Sequence, residues 1–343
     1  MLPLSTVFRP VNLYNSDTQL ITGPGGVPFE DDLAALRSLL QKSAYGNSLD
    51  GYLEAAWAPL LLERRIMLAM IEQREQGIDS HGNLAHKTRP VGFRFVCFIT
   101  DDFRRRTMRM IEEDVLEPSL ILHLMRQHTK HSSPILTRRQ VALANKEEKL
   151  NVVSFTAHDP RIMKPTRLHP YINATIGAFS KMCIGYSCQG CLFDGYTTLG
   201  RLGTFASGFK IIFRFPTYYR NNNHVDEEMR NWIAYVERGH LGEHIGKVIH
   251  TSASYIHPIL NFTRLQRETL ELYFEGADDE TVAGHYGVGV AAIRTRFYEM
   301  YNQLEAMRAE GALPRELAYK PRVEIEDLLN YVRNHPEECR PHA

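Results

Sequence analysis

The sequence carries no surplus of charge. Across 343 residues, 40 Lys and Arg stand against 40 Asp and Glu, so no overall field advertises a polyanionic partner and any contact with nucleic acid must be local. No run of 18 apolar residues occurs, which argues against a membrane-spanning helix and a membrane partner. The opening MLPLSTVFRPVNLYN lacks the basic start and apolar core of a secretory signal, so a cytoplasmic location is expected. Cysteine is scarce: Cys97, Cys183, Cys188, Cys191 and Cys339 make an odd set of five, not a disulfide framework, and reduced thiols are the expectation. Internal repeats, low-complexity segments, a P-loop and a Ser-His-Asp pattern are missing too.

What is present is enough for packed cores, with 43% apolar and 23% charged residues. The length suits two domains better than one, since domains typically hold roughly 100–200 residues. Helical spacing runs over Asp31 to Leu40 and again over Tyr52 to Gln76, the second stretch holding Pro59 and a broad apolar face from Leu60 to Ile71. Val91, Phe93, Phe95, Cys97 and Ile99 then alternate with other residues, the period of a strand. Helical patterns follow over Asp102 to Asp114, Pro118 to His128 and His169 to Met182, with strands at Leu150 to Ala157 and Gly208 to Phe215. Cys183 to Thr204 is rich in glycine, cysteine and aromatics, and Val225 to Val248 is predicted helical. The expectation is a mixed α/β sensory or regulatory domain over residues 1–254.

From Phe262 to Leu304 the pattern changes to three short helices. Leu265, Leu270, Leu272 and Tyr273 supply one buried face before Gly276. Asp278 can cap the next helix, Val282 and Ala283 face inward, and Gly287 breaks it. Val288 and Gly289 lead into a third helix in which Ile293, Phe297, Met300, Tyr301 and Leu304 form the inner stripe. Its other face shows Val290, Ala291, Arg294, Thr295 and Tyr298, small residues first and a guanidinium one turn in, a surface suited to a major groove. Arg296 and Arg267 are placed for phosphates, although acidic residues outnumber basic ones from Pro258 to Glu305.

This three-helix spacing resembles the LuxR or GerE family of helix-turn-helix DNA-binding domains. Thr263 and Glu268 stand at its opening signature, Val282 and Ala283 at its Ile-Ala pair, Val288 at its turn residue, Ile293 at its late valine and Leu304 at its Lys-Leu leucine. Ala292, Arg296 and Gln303 depart from the pattern. The resemblance implies an α+β N-terminal domain, then an all-α helix-turn-helix domain over residues 255–307 and a C-terminal helical extension over 308–343. It implies a one-component transcriptional regulator, not an enzyme, that binds double-stranded DNA as a homodimer and answers to a small-molecule or protein effector. Ala291, Arg294, Thr295, Tyr298, Arg296 and Arg267 would touch DNA, and Val323 to Val332 would either be the dimer interface or fold back on its own domain.

Other chemistry in the N-terminal part is sparser. Cys183, Cys188 and Cys191 have a C-x4-C-x2-C spacing, for which buried thiols or a redox pair of Cys188 and Cys191 is a better reading than an iron-sulfur cluster without a clear fourth ligand. His240 with His244 and His128 with His131 lack a third ligand, so neither a metal nor another cofactor is expected. Arg104, Arg105 and Arg106 read as a solvated helix face rather than an anion site. The stretch from Arg89 to Ile99 faintly resembles a central strand of acetyltransferase-like domains, without the Gln/Arg-x-x-Gly-x-Gly/Ala element that cradles a pyrophosphate. An acyl or acetyl transferase with a helical docking module is the competing reading, and a cleft with convergent ionisable groups beside Phe93 to Ile99 would favour it.

Overall fold

Alternation along the strand at Phe93 to Ile99 organises the whole N-terminal part. The computed structural model describes residues 5–11, 29–43, 49–78, 84–116, 119–130, 133–163, 165–197, 200–201, 204–205, 208–214, 231–239, 257–275 and 277–341. Within them the chain runs through β1 (Ser5–Val11), α1 (Phe29–Lys42) and α2 (Asp50–Tyr52), which passes by a π-helical turn at Leu53–Trp57 into α3 (Ala58–Leu62). There follow β2 (Ile66–Ile78), β3 (Leu84–Ile99), α4 (Asp101–Glu112), α5 (Leu120–Lys130), α6 (Arg138–Lys146) and β4 (Leu150–His158). Next come α7 (Pro165–Cys183), β5 (Cys188–Gly195), β6 (Lys210–Arg214) and β7 (Trp232–Glu237). The strands make one seven-stranded sheet in the order β1-β2-β3-β4-β5-β7-β6, and β4 with β5 is its parallel pair among antiparallel neighbours. This is a mixed α+β architecture.

Helices cover both faces, so the sheet has two cores. Phe93, Phe95, Cys97 and Ile99 of β3 join Trp57, Leu36, Leu124 and Phe155 in the larger one. Trp57 lies edge-on to Phe93 at 5.9 Å and donates its indole N–H to Met125 Sδ at 3.1 Å, so even the polar corner of this side chain is satisfied. Val96 and Phe98, alternate residues of the same strand, enter a second core with Phe179, Tyr186 and Phe193. Thr100 ends β3 and caps α4 by accepting the Phe103 N–H at 3.2 Å, and Thr137 with Gln140 forms a capping box on α6. Asp194, near the end of β5, reaches across to α5 and accepts the Ser119 hydroxyl and the Ile121 N–H, both at 2.9 Å. A buried carboxylate is stabilised at that helix start, and it ties the end of β5 to the rest of the domain.

Two expected helices are strands. The helix predicted over Tyr52 to Gln76 stops at Leu62; Arg64 turns the chain with a φ of 53°, and Ile66 begins β2. The run Ile66 to Ile71 lies between β1 and β3, largely buried, and a continuous apolar run fits the spacing of a helix as well as a doubly covered strand. In Val225 to Val248 the described part includes β7, whose Trp232, Ala234 and Val236 face one core while Ile233 faces the other. The glycine- and cysteine-rich segment holds β5.

The C-terminal part contains α8 (Arg264–Glu275), α9 (Asp279–Tyr286), α10 (Val290–Ala309), α11 (Arg315–Ala318) and α12 (Ile325–Asn334). Asp278 caps α9 through the Thr281 N–H at 2.8 Å, and Gly287 closes it with a φ of 62°, a left-handed conformation in which a Cβ is strained. Ile293, Phe297, Met300 and Leu304 lie inside, as their spacing predicts, against Leu270 and Val282. Leu328 and Val332 of α12 fill the same core, the folding-back that the sequence offered beside a dimer interface. The proposed boundary near Tyr255 and Gly276 lie outside the described residues.

A buried charge cluster fastens α8 to the α/β part. Glu271 is buried and accepts Arg138 Nη2 at 2.6 Å and Arg340 Nη1 at 3.2 Å, with Arg64 Nη2 at 3.4 Å and the Tyr186 hydroxyl at 3.4 Å. Burial alone would raise this carboxyl, but the three guanidinium groups overcome it and hold it well below the usual carboxylate range. Arg340 also donates to the carbonyls of Ile184 and Lys181.

Candidate active site

The parallel pair opens into a cleft. Pairing between β4 and β5 ends at Phe155 and Asp194, while β4 continues against β3 as far as His158 opposite Gly92. Beyond that point the two strands have no shared ladder, and the space between them is lined by Thr156 and His158 on one side and Gly195, Tyr196 and Thr197 on the other. Ile172, Thr175, Ile176 and Phe179 of α7 form its wall, with Phe193, Phe209 and Trp232 completing a largely apolar lining. The cleft encloses about 710 Å³ of empty space, its open mouth included. In open α/β sheets, ligands bind outside the carboxyl ends of strands where the connection pattern switches, and this is such a place. Gly195 is required there: a Cβ would stand 2.4 Å from the Trp232 ring.

Three polar side chains converge on this apolar space. Arg94 of β3 is only 6% exposed and donates from Nη1 to Thr156 Oγ1 at 2.8 Å. Its guanidinium carbon lies 4.8 Å from the Phe179 ring centre and 4.4 Å from that of Phe193, while Nε meets no partner among the described residues. Desolvation pulls this guanidinium down to about 10, which leaves it charged at neutral pH. His158 stacks on Tyr196 with ring centres 4.9 Å apart, and its Nδ1 is 3.2 Å from the Tyr196 hydroxyl. Nε2 of the same ring is buried without a partner among the described residues. Burial lowers the imidazole to about 4, so it is neutral at pH 7. The Tyr196 hydroxyl accepts the His158 backbone N–H at 2.9 Å, and burial raises the phenol well above its ordinary value, so it keeps its proton.

None of Arg94, Thr156, His158 or Tyr196 was singled out from the sequence. Arg94 occupies an alternate position of β3 that reads as solvent-facing if one face of the sheet is wet. The signal was the near-continuous apolar run around it, from Phe93 to Ile99, which marks a strand covered on both sides.

The six residues expected to contact DNA divide into two groups. Ala291, Arg294, Thr295 and Tyr298 are exposed on α10, where Arg294 Nε is 3.7 Å from Asp279 and Thr295 returns its hydroxyl to the Ala291 carbonyl at 3.1 Å. Arg296 turns inward, 4.2 Å over the Tyr286 ring and 3.3 Å from the Thr269 hydroxyl. Arg267 is half-buried, and desolvation lowers its pKa. Cys188 and Cys191, the expected redox pair, are both buried free thiols, and burial raises the Cys191 thiol far from thiolate character. Arg105 and Arg106 are exposed and pair with Asp101 and Asp102 along α4, as a solvated face does, whereas Arg104 is half-buried between Asp101 and the Tyr235 hydroxyl, to which it donates at 3.2 Å. His131, His240 and His244 lie outside the described residues.

No family model matches the chain, and no curated protein does. Among solved structures it is similar to Arabidopsis thaliana NAA60 in complex with acetyl-CoA, at 11% identity and a TM-score of 0.34, over 68% of this chain and 99% of that one. It is also similar to a mosquito arylalkylamine N-acetyltransferase-like protein, at 12% identity and a TM-score of 0.33, over 68% of this chain and all of that one. A third is the C-terminal condensation domain of Ebony in complex with beta-alanyl-dopamine, at 10% identity and a TM-score of 0.26, over 69% and 100%.

The LuxR-type assignment, the reading as a transcriptional regulator and the expectation of a non-enzyme are accordingly corrected. No family model supports that assignment, and the first helix of the supposed DNA-binding unit is bound to the α/β part through Glu271. Two of the expected DNA-contacting arginines are held within the chain, and the convergent polar groups lie in the cleft at the sheet instead. Among the described residues, no helix is long and apolar enough to cross a membrane.

Proposed function

We propose that the chain is an acyl-transfer enzyme whose reaction takes place where β4 and β5 part. The observation that carries this reading is the coincidence of an apolar cleft at the carboxyl end of the parallel pair with two buried polar atoms on its lining residues that lack partners among the described residues, Arg94 Nε and His158 Nε2. Unsatisfied buried polar groups are costly, and a ligand that completes them is one of the reasons they persist, the one that the surrounding cleft favours at Arg94 and His158.

The chemistry follows from the protonation states. The Tyr196 hydroxyl has both His158 Nδ1, at 3.2 Å, and the His158 carbonyl, at 3.3 Å, within reach. With its proton given to Nδ1, the neutral imidazole, a side chain that lines the cleft, carries its own proton on Nε2 as a donor. A neutral imidazole with so low a pKa is a poor base at pH 7 but a good electrophile, and it costs no reorganisation when charge develops beside it. The fitting reaction is attack of an amine on an acyl thioester. The nitrogen forms the new bond to the carbonyl carbon, the carbon–sulfur bond breaks, and the proton lost by nitrogen ends on the departing thiolate. His158 stabilises the oxygen as it becomes negative, and Tyr196 fixes the tautomer.

The connection after β4 differs from a pyrophosphate cradle. It reads Asp159-Pro160-Arg161-Ile162-Met163-Lys164-Pro165, with no glycine, two prolines that lack an N–H, and Asp159 held by Arg161 at 2.6 Å. A nucleotide carrier is therefore not assigned, and the donor is proposed at the level of an acyl thioester. The test uses the full chain with acetyl, octanoyl and benzoyl thioesters, each on coenzyme A and on the small thiol N-acetylcysteamine, and follows amide formation with a set of amines by mass spectrometry. The wild type should form amide, and His158→Gln should be slower by roughly a hundredfold or more, the usual loss of an oxyanion donor. A folded wild-type chain that neither binds nor turns over any of these thioesters overturns the reading.

A further inference from the structure

Arg94 is the least expected group in the molecule. A guanidinium placed in an apolar wall has lost its hydration, and a buried charge is ordinarily paired. Here it has one neutral hydroxyl, from Thr156, and two aromatic rings, and among the described residues no carboxylate lies within ion-pair distance. The titratable groups acting on it, Cys191, Cys183 and Tyr171, do not supply the missing charge, because burial raises all three and keeps them neutral. Sheet register sets the next distance. Arg94 stands opposite Thr156, and His158 is two residues further along β4 on the same face, roughly 7 Å away by strand rise.

We infer that the acyl acceptor is an apolar amino acid, its carboxylate held by Arg94 and its amine presented between Arg94 and His158. The inference deepens the acyl-transfer reading and rests on it for the role of the cleft. A carboxylate matches the planar fork of a guanidinium and completes the unpartnered Nε. In an α-amino acid the nitrogen lies about one hydrogen-bond length from the carboxylate, so that spacing leaves room for the thioester carbonyl between the nitrogen and the imidazole. Phe193, Phe209, Trp232 and Ile176 favour an apolar side chain over a polar one.

Binding, not turnover, tests this. Four probes are titrated into the full chain by calorimetry: L-phenylalanine, L-phenylalaninamide, 3-phenylpropionate and phenethylamine. Phenylalanine and phenylpropionate should bind, and the two probes without a carboxylate should bind roughly 30-fold or more weakly, the loss expected when a buried charge is left without its partner. Arg94→Met should abolish the difference between acid and amide. The wild-type comparison alone decides the matter if that variant does not fold. Equal binding of phenylalanine and its amide, no binding by either, or a preference that survives in Arg94→Met overturns the inference. Acid-selective binding with no amide formed from any thioester would keep the anchor and sink acyl transfer. Transfer to phenethylamine as fast as to phenylalanine would do the reverse.

Discussion

Two arginine sites, one on either side of the second core, show what burial of a guanidinium can mean. Arg340 and Arg138 meet around Glu271, where a carboxylate and two main-chain carbonyls take up their protons and the Tyr186 hydroxyl donates to the same carboxylate. Arg94 lies behind the sheet with a threonine hydroxyl and two rings. The first arrangement is complete within the chain, so its purpose is architecture: it binds α8 and the C-terminal tail to the α/β part. The second has no carboxylate partner among the described residues, which is why a ligand is inferred to complete it. The same side chain thus separates a structural contact from a binding site, by what it lacks rather than by where it stands.

Removing the shared carboxylate should give the largest effect. Glu271→Gln leaves Arg64, Arg138 and Arg340 gathered with no negative charge among them, and breaking a buried pair from one side costs about 3–5 kcal/mol. Urea unfolding followed by circular dichroism should show either a lower midpoint or an early transition in which the C-terminal helices separate. A variant within about 1 kcal/mol of wild type would mean that the cluster is solvated and that the comparison with Arg94 is false.

The sequence showed these two sites unequally. The helical stripe led by Ile293 and the strand led by Phe93 were legible because each keeps one period over several turns or residues. The capping of α9 by Asp278 was legible for the same local reason. Glu271 was not, since its partners are 69, 133 and 207 positions away in the chain and a charged residue on a helix is usually solvated. β5 was hidden because glycine and cysteine, which fit close approach to Trp232 and a tight core, carry little strand signal. The outward surface of α10 was read correctly as a surface, with Ala291, Arg294, Thr295 and Tyr298 exposed, but a surface does not state its function. The cleft itself belongs to topology: it exists because β4 and β5 run parallel and then part, which no local pattern announces.

Acidification should separate the two sites in pH. His158 is neutral in the folded chain down to about 4, against 6.5 for an unburied histidine, so between these values the unfolded chain binds more protons and stability falls as the pH drops. The loss amounts to roughly 3 kcal/mol at full extent, from the 1.36 kcal/mol per unit of pKa difference. Glu271, held low, supports the fold above the ordinary carboxylate range and loses that support only as the pH falls below about 4.5. Denaturant midpoints measured from pH 7 to pH 3 should therefore fall in two stages, and His158→Phe should remove most of the first. His128 and His285, both lowered by burial, contribute to wild type and variant alike and cancel in the difference. An unchanged first stage in the variant would show that the imidazole is not sealed in the cleft wall.

A smaller change tests the shape of the cleft rather than its charge. Gly195→Ala drives a methyl into Trp232, whose indole N–H is bonded to the Thr197 carbonyl at 3.0 Å and so holds the ring in place. Overpacking of this kind costs about 1–3 kcal/mol, and it should displace the ring into the cleft. The readout is the tryptophan emission, which should shift, with a lower denaturation midpoint; an unaltered spectrum would mean that Trp232 has freedom the packing denies it.

The smallest effect on stability is expected at Arg94, and its smallness is the sharpest form of the contrast. Arg94→Met gives up one hydrogen bond to Thr156 and two ring contacts, together worth about 1–2 kcal/mol, and relieves the desolvation of a charge that has no counter-ion among the described residues. These terms oppose each other, and replacing buried ionic groups with apolar ones of similar volume is often neutral or stabilising. The denaturation midpoint without ligand should lie within about 1 kcal/mol of wild type, beside the several kcal/mol lost in Glu271→Gln. A loss as large as that of Glu271→Gln would mean that Arg94 is already paired within the fold, and then the cleft would owe its charge to structure and not to a ligand.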